Sequence, residues 1–236
     1  MSEATAPQLH WAERAADRSP AVQRSRARQI EQAKVIVDAA RRLIAERGER
    51  FTTQELVKEA GVALQTFYRI FAGKDQLLLA VFEDSIAEHC AAVEEAARAL
   101  PDPLARLRFY VTDVVESLGS NPGEDMSPRF VTAEHWRLHE RYPDEMSQAT
   151  QPFADMVVRQ LHAAAADGLL SPVDPESDAW FVTKLVMAVF HHYAFVDPVP
   201  DMHAIADRLW MFCRAALGGG VAHEDPVAGL RRVGAE

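Results

Sequence analysis

From Gln29 onward, the apolar residues of this chain recur at spacings of three and four, and no segment sustains a period of two between hairpin turns. That spacing places apolar side chains on one face of a 3.6-residue helix, so the sequence predicts helices and no sheet. Ile30, Ala33, Val37, Ala40 and Ile44 mark a first helix that Gly48 ends. Thr52 or Thr53 can cap a short second helix through Ala60, with Phe51 just outside as a staple residue. Gly61 permits a sharp turn into a third helix that runs to about Phe71. A long fourth helix opens near Lys74 or Asp75 and carries Leu78, Val81, Phe82, Ile86, Cys90 and Val93 on its apolar side. Beyond Pro101 the expected helices are about 103–118, 128–141, 143–167, 175–195 and 201–217. The breaks between them, "GSNPGED", "YPDE", "GLLSPVDPES" and "DPVPD", hold the Pro, Gly and Asp that end or cap helices. The expectation is an all-α chain of about nine helices, with an N-terminal three-helix helix-turn-helix domain followed by a larger α-helical domain.

Charge divides the same way. The formal net charge of −10 argues against a polyanionic partner only if it is taken as one number. Residues 1–80 hold 13 Lys or Arg against 10 Asp or Glu, and residues 81–236 hold 12 against 25. A mildly basic front can approach a polyanion while the acidic body does something else. Charges interrupt every long apolar run well short of a bilayer span, and the N-terminus lacks a signal-like apolar region, so a cytoplasmic protein with no membrane association is the default. Cys90 and Cys213 are the two cysteines, which makes reduced buried thiols the expectation over a disulfide framework.

Two short helices joined by a glycine-containing turn and braced by a longer one form a helix-turn-helix, whose second helix fits the major groove. Leu56, Val57, Ala60, Val62, Phe67 and Phe71 are expected to face inward, leaving Leu64, Gln65, Thr66, Tyr68 and Arg69 outside. Arg69 can offer two donors to guanine, Gln65 can pair with adenine, and Leu64 can meet a thymine methyl group. Thr53, Thr66, Tyr68 and Lys74 suit phosphates, Lys74 standing beside a helix N-terminus that also favours an anion. A plain structural αα-corner is the alternative reading of the same shape.

The segment "FTTQELVKEAGVALQTFYRIFAGKDQLLLAVFED", Phe51 to Asp84, resembles the DNA-binding region of the tetracycline-repressor (TetR) family of transcriptional regulators. The features that match are Thr52-Thr53 before the second helix, the "EAGVA" turn, "TFYRIF" on the recognition helix and "GKDQLL" opening the fourth. The resemblance covers about Arg28 to Ser85; beyond that only helix number and order are similar. It implies a homodimer, a palindromic operator and a small-molecule inducer. Carried onto this chain, the family's DNA contacts fall on Thr53, Gln54, Leu64, Gln65, Thr66, Tyr68, Arg69 and Lys74. Ile70 departs from the pattern: it stands where the family often has a backbone-touching His or Tyr, and inward packing is its alternative.

The resulting layout is an arginine-containing flexible arm over 1–27, a DNA-binding domain over 28–73, a ligand-binding and dimerisation domain over 74–217, and a flexible tail over 218–236. The arm carries Arg14, Arg18, Arg24 and Arg26, with Arg28 just beyond; it is either a solvated tail or an accessory phosphate contact. Helices 175–195 and 201–217 hold more apolar residues than one core-facing stripe needs, among them Trp180, Phe181, Val182, Leu185, Val186, Val189, Phe190, Ile205, Leu209, Trp210, Phe212 and Leu217. Paired with their copies they would form a four-helix dimer seam; a monomer core is the other reading.

Phe109, Phe130, Trp136, Phe153, Met156, Met187 and Tyr193 are candidates to line a mostly apolar effector cavity, although each taken alone also suits a core. In "EHWRLHE", His135 and His139 lie one helical turn apart, a spacing that can hold a metal, with solvated or hydrogen-bonded histidines as the alternative. Trp136 occupies the place of the general-base Glu of a zinc-protease helix, and of the adjacent His191 and His192 only one could join such a site. No phosphate loop or nucleophile elbow is present, so no enzyme, no metal ligand set and no cofactor is expected. The expected function is a one-component, ligand-responsive repressor released from its operator by a small hydrophobic effector. The alternatives are a helical protein-interaction module and a metal-responsive regulator using His135 and His139.

Overall fold

The computed structural model describes residues 18–48, 50–119 and 126–219. Among them are nine α-helices and one 3-10 turn, with no strand. The helices are α1 (Pro20–Arg47), α2 (Thr53–Glu59), α3 (Leu64–Ile70), α4 (Lys74–Ala97), α5 (Pro103–Glu116), α6 (Pro128–Arg141), α7 (Pro143–Ala166), α8 (Pro175–Tyr193) and α9 (Met202–Ala216). Each expected break falls within two residues of an observed one, because Pro143 and Pro175 start helices where a missing N–H costs nothing. Asp102 and Asp201 cap α5 and α9, Asp102 accepting from the Ala105 N–H at 2.7 Å.

The chain forms two compact units that divide between Val81 and Phe82, inside α4. In the first unit α1 packs on α2 and α3. Ile36, Val37, Ala39, Ala40, Leu43 and Ile44 of α1 are buried, together with Phe51, Leu56, Phe67, Phe71 and the start of α4. Burying side chains the size of Leu56 and Phe67, each 1% exposed, stabilises by about 1.5–3 kcal/mol apiece.

Two expectations for this unit change. Ile30 is exposed, since the buried stripe begins at Ile36. The expected arm is helical from Pro20, so Arg24, Arg26 and Arg28 stand on α1; residues 1–17 lie outside the described residues. Apolar periodicity cannot reveal such a stretch, because no residue from Pro20 to Val35 is buried.

In the second unit α5 packs against α7, α8 and α9, and α7 also meets α6 and α8. Leu107, Val111 and Val115 of α5 and Val157, Leu161 and Ala164 of α7 are fully buried in one apolar cluster. Cys90 and Cys213 lie in it as free thiols, each pushed up to about 11, mainly by burial. No described helix is long and apolar enough to cross a membrane. The expected tail falls outside the described residues from 220 on.

Candidate nucleic-acid interface and effector region

The helix-turn-helix is set by short-range chemistry. Thr52 caps α2 through a reciprocal box: its hydroxyl accepts from the Glu55 N–H at 3.2 Å, and the Glu55 carboxylate accepts from the Thr52 N–H at 2.7 Å. These bonds hold the Glu55 carboxyl below its ordinary range. Gly61, at φ 64°, then turns the chain with the Val62 N–H donating to the Val57 carbonyl at 3.0 Å. Phe67 anchors α3 inward, its ring 5.9 Å from that of Phe71. Leu56, Phe67 and Phe71 are buried as expected, while Val57, Ala60 and Val62 are half-buried.

Of the expected outward set, all but Thr66 are exposed. Leu64 is 41% and Tyr68 56% exposed, Gln54, Gln65 and Arg69 are exposed, and Thr53 and Thr66 are half-buried. Ile70 is half-buried, consistent with a packing role.

Two cations have partners within the unit. Arg69 donates from Nη2 to Gln32 Oε1 of α1 at 2.9 Å, which leaves the rest of its five-donor fork for a ligand. Lys74 sits 4.4 Å over the Phe51 ring and donates to the Phe51 carbonyl at 3.5 Å, so it braces the α2 entrance as well as standing at the start of α4. Gln32 is a residue that sequence reasoning missed, because a lone polar residue on an exposed helix carries no pattern.

In the second unit the candidate effector residues do not share one environment. Phe153 and Met156 are buried in the core cluster, with Phe109 and Tyr193 packed against it, whereas Phe130 and Met187 are half-buried. Trp136 is 59% exposed and lies 5.5 Å from the His191 ring.

His191 joins the pair noticed in the sequence. Its ring is 4.8 Å from His135, which lies 5.9 Å from His139. Burial, then His191, His139 and Lys184, push His135 down to about 4, and burial lowers His191 too. Both rings are therefore neutral at pH 7. His135 Nδ1, His191 Nε2 and the Thr132 hydroxyl are buried with no hydrogen-bond partner.

The metal-responsive alternative gains no support here. The His135 and His139 rings are stacked at 6° to each other, so their lone pairs lie in separate parallel planes. Among the described residues, no group of three or more His, Cys, Asp or Glu is placed to hold a metal ion.

The apolar surplus of α8 and α9 falls into three sets, with Leu185, Val189, Phe190 and Ile205 half-buried. Val182, Val186, Leu209, Trp210 and Leu217 are buried, while Trp180, Phe181, Met211 and Phe212 are 54%, 64%, 55% and 65% exposed.

Residues 36–81 match the family model described as bacterial regulatory proteins, tetR family. The search of curated proteins returned no match. Among solved structures, the transcriptional regulator FadR from Bacillus subtilis in complex with stearoyl-CoA is similar at 16% identity, with 78% of this chain and 98% of that one covered and a TM-score of 0.61. A tetR-family regulatory protein from Rhodococcus RHA1 is 21% identical, covering 80% and 98%, with a TM-score of 0.55. RolR in complex with resorcinol is 18% identical, covering 79% and 89%, with a TM-score of 0.60. At these identities the structural likeness concerns the fold. Residues 36–81 thus match the model of the tetR family of bacterial regulatory proteins, in a chain that shares the fold of solved tetR-family regulators.

Proposed function

We propose that the chain is a ligand-responsive transcriptional repressor that binds a palindromic operator as a homodimer and is released by a small hydrophobic effector. The observation that carries this reading is the outward presentation of Leu64 and Gln65 at the N-terminal end of α3, within the region matched by the family model. Recognition helices of this class read base edges from their N-terminal residues. Leu64 and Gln65 read bases, with Arg69 reaching a guanine from the far end of the helix. Thr53, Gln54, Thr66, Tyr68 and Lys74 hold the phosphates.

The exposed Trp180, Phe181, Met211 and Phe212 form the dimer seam, since an apolar face of this kind left in water favours association. The effector occupies the second unit, where of the seven candidates Trp136 lies beside His191, its ring 5.5 Å away. Stearoyl-CoA and resorcinol bound to similar folds support a partly apolar small molecule. Its polar group would satisfy the buried nitrogens of His135 and His191. Helix α4 is one continuous element across the boundary of the two units, so a shift on its C-terminal side is transmitted to its N-terminal turn.

Fluorescence anisotropy with labelled DNA from immediately upstream of the chain's own gene tests the reading. Binding should survive excess nonspecific competitor at 150 mM salt; loss of all binding under competition would contradict it.

A further inference from the structure

The N-terminal part of α1 buries none of its side chains. From Pro20 to Val35 no residue is buried, and residues 21–31 are all exposed. A helix of this kind is marginal in water, since helices in proteins are held mainly by packing one face. Its charge is one-sided: Arg24, Arg26, Arg28 and Lys34 stand against Glu31 alone.

The arginines are not equivalent. At 100° per residue, Arg24, Arg28 and Gln32 fall on one face, and Arg26 lies on the far side. Gln32 is the residue that accepts from Arg69 of the recognition helix at 2.9 Å. The face that meets α3 at Gln32 therefore continues outward with Arg28 one turn on and Arg24 a second turn on, at about 6 and 12 Å along the axis.

We propose that this face of α1 is a second nucleic-acid contact, in which Arg24 and Arg28 bind backbone phosphates of duplex DNA flanking the half-site read by α3. The inference rests on the DNA-binding reading above and extends it to a surface beyond the region matched by the family model, which starts at residue 36. The occupant is duplex DNA because the face is cationic and continuous with the recognition helix. Contacts of this type carry no base specificity; they add affinity and salt dependence.

The probe is a 30-base-pair duplex of arbitrary sequence, titrated by anisotropy across a potassium chloride series with the full-length protein. Each phosphate contact contributes about 0.9 to the slope of log affinity against log salt. The Arg24→Ala/Arg28→Ala variant should bind several-fold more weakly at 100 mM salt and lose up to about 1.8 from the slope per engaged protomer. Arg26→Ala should change neither quantity, and Arg24→Lys/Arg28→Lys should keep the slope. An unchanged slope in the double-alanine variant overturns the proposal, as does an equal loss in Arg26→Ala, which would reduce it to net charge. Because every substituted residue is exposed, the helical circular dichroism spectrum should be unaltered. If the unmodified protein binds neither this duplex nor its own upstream DNA at any salt, the DNA-binding reading itself fails and this inference falls with it; binding that persists in the double-alanine variant with full slope removes only the inference.

Discussion

At the scale of the residue, base reading by α3 depends on which of its donors reach solvent. Gln65 stands exposed near the start of α3, and Arg69 already donates to Gln32. Gln65→Ala should relax discrimination at one operator position by about 1–3 kcal/mol, measured against single-base operator variants. Arg69→Ala should also loosen preference at one position; unchanged discrimination would return Arg69 to a bracing role on Gln32.

Thr52→Ala removes half of the capping box and should lower stability by about 1 kcal/mol in urea unfolding, with base preference intact. His135 gives a pH signature. Its folded value is depressed from 6.5 to about 4, so the unfolded chain binds the proton first. Stability is full above pH 6.5 and falls as the pH drops toward 4. Between pH 7 and pH 5 the wild type should lose about 1–2 kcal/mol that a His135→Gln variant keeps. Equal losses in both proteins would show that the ring takes up its proton without strain in the fold.

At the scale of the element, the sequence makes helices legible wherever one face is buried. Apolar spacing locates α2 through α9 within a few residues because Leu56, Phe67, Leu107, Val157 and Val186 all face cores. It misses the first turns of α1, where no side chain is buried and the pattern has nothing to repeat. Exposure also separates α8 and α9 into inward and outward sets that composition merges: Val182 and Phe181 are neighbours, yet one is 5% and the other 64% exposed.

The exposure of Leu64, Gln65, Tyr68 and Arg69 is legible from the same inward and outward logic. The histidine cluster was only half readable, since the approach of His191 to His135 depends on how α6 meets α8, and Gln32 depends on how α1 crosses α3. If α8 and α9 form the dimer seam, Phe181→Glu/Phe212→Glu should place charge in an apolar contact and weaken dimerisation at least tenfold. Sedimentation at micromolar concentration checks this, and an unchanged mass would move the seam elsewhere.

At the scale of the whole molecule, the charge difference between the ends fits the proposed division of tasks, a mildly basic front suited to a polyanion and an acidic body that is not. In the proposed dimer, two copies of α3 would match half-sites about one helical turn of DNA apart, so a small reorientation would lose several contacts together. An effector can release the operator only to the extent that it prefers the mismatched arrangement.

Selection of bound sequences from a random duplex pool by the full-length protein tests the central claim most directly. The account predicts enrichment of a palindrome with half-sites about 10 base pairs apart, bound by two protomers, and loss of that enrichment in Gln65→Ala. Enrichment of no motif, or of a single unsymmetrical site bound by one protomer, would contradict it.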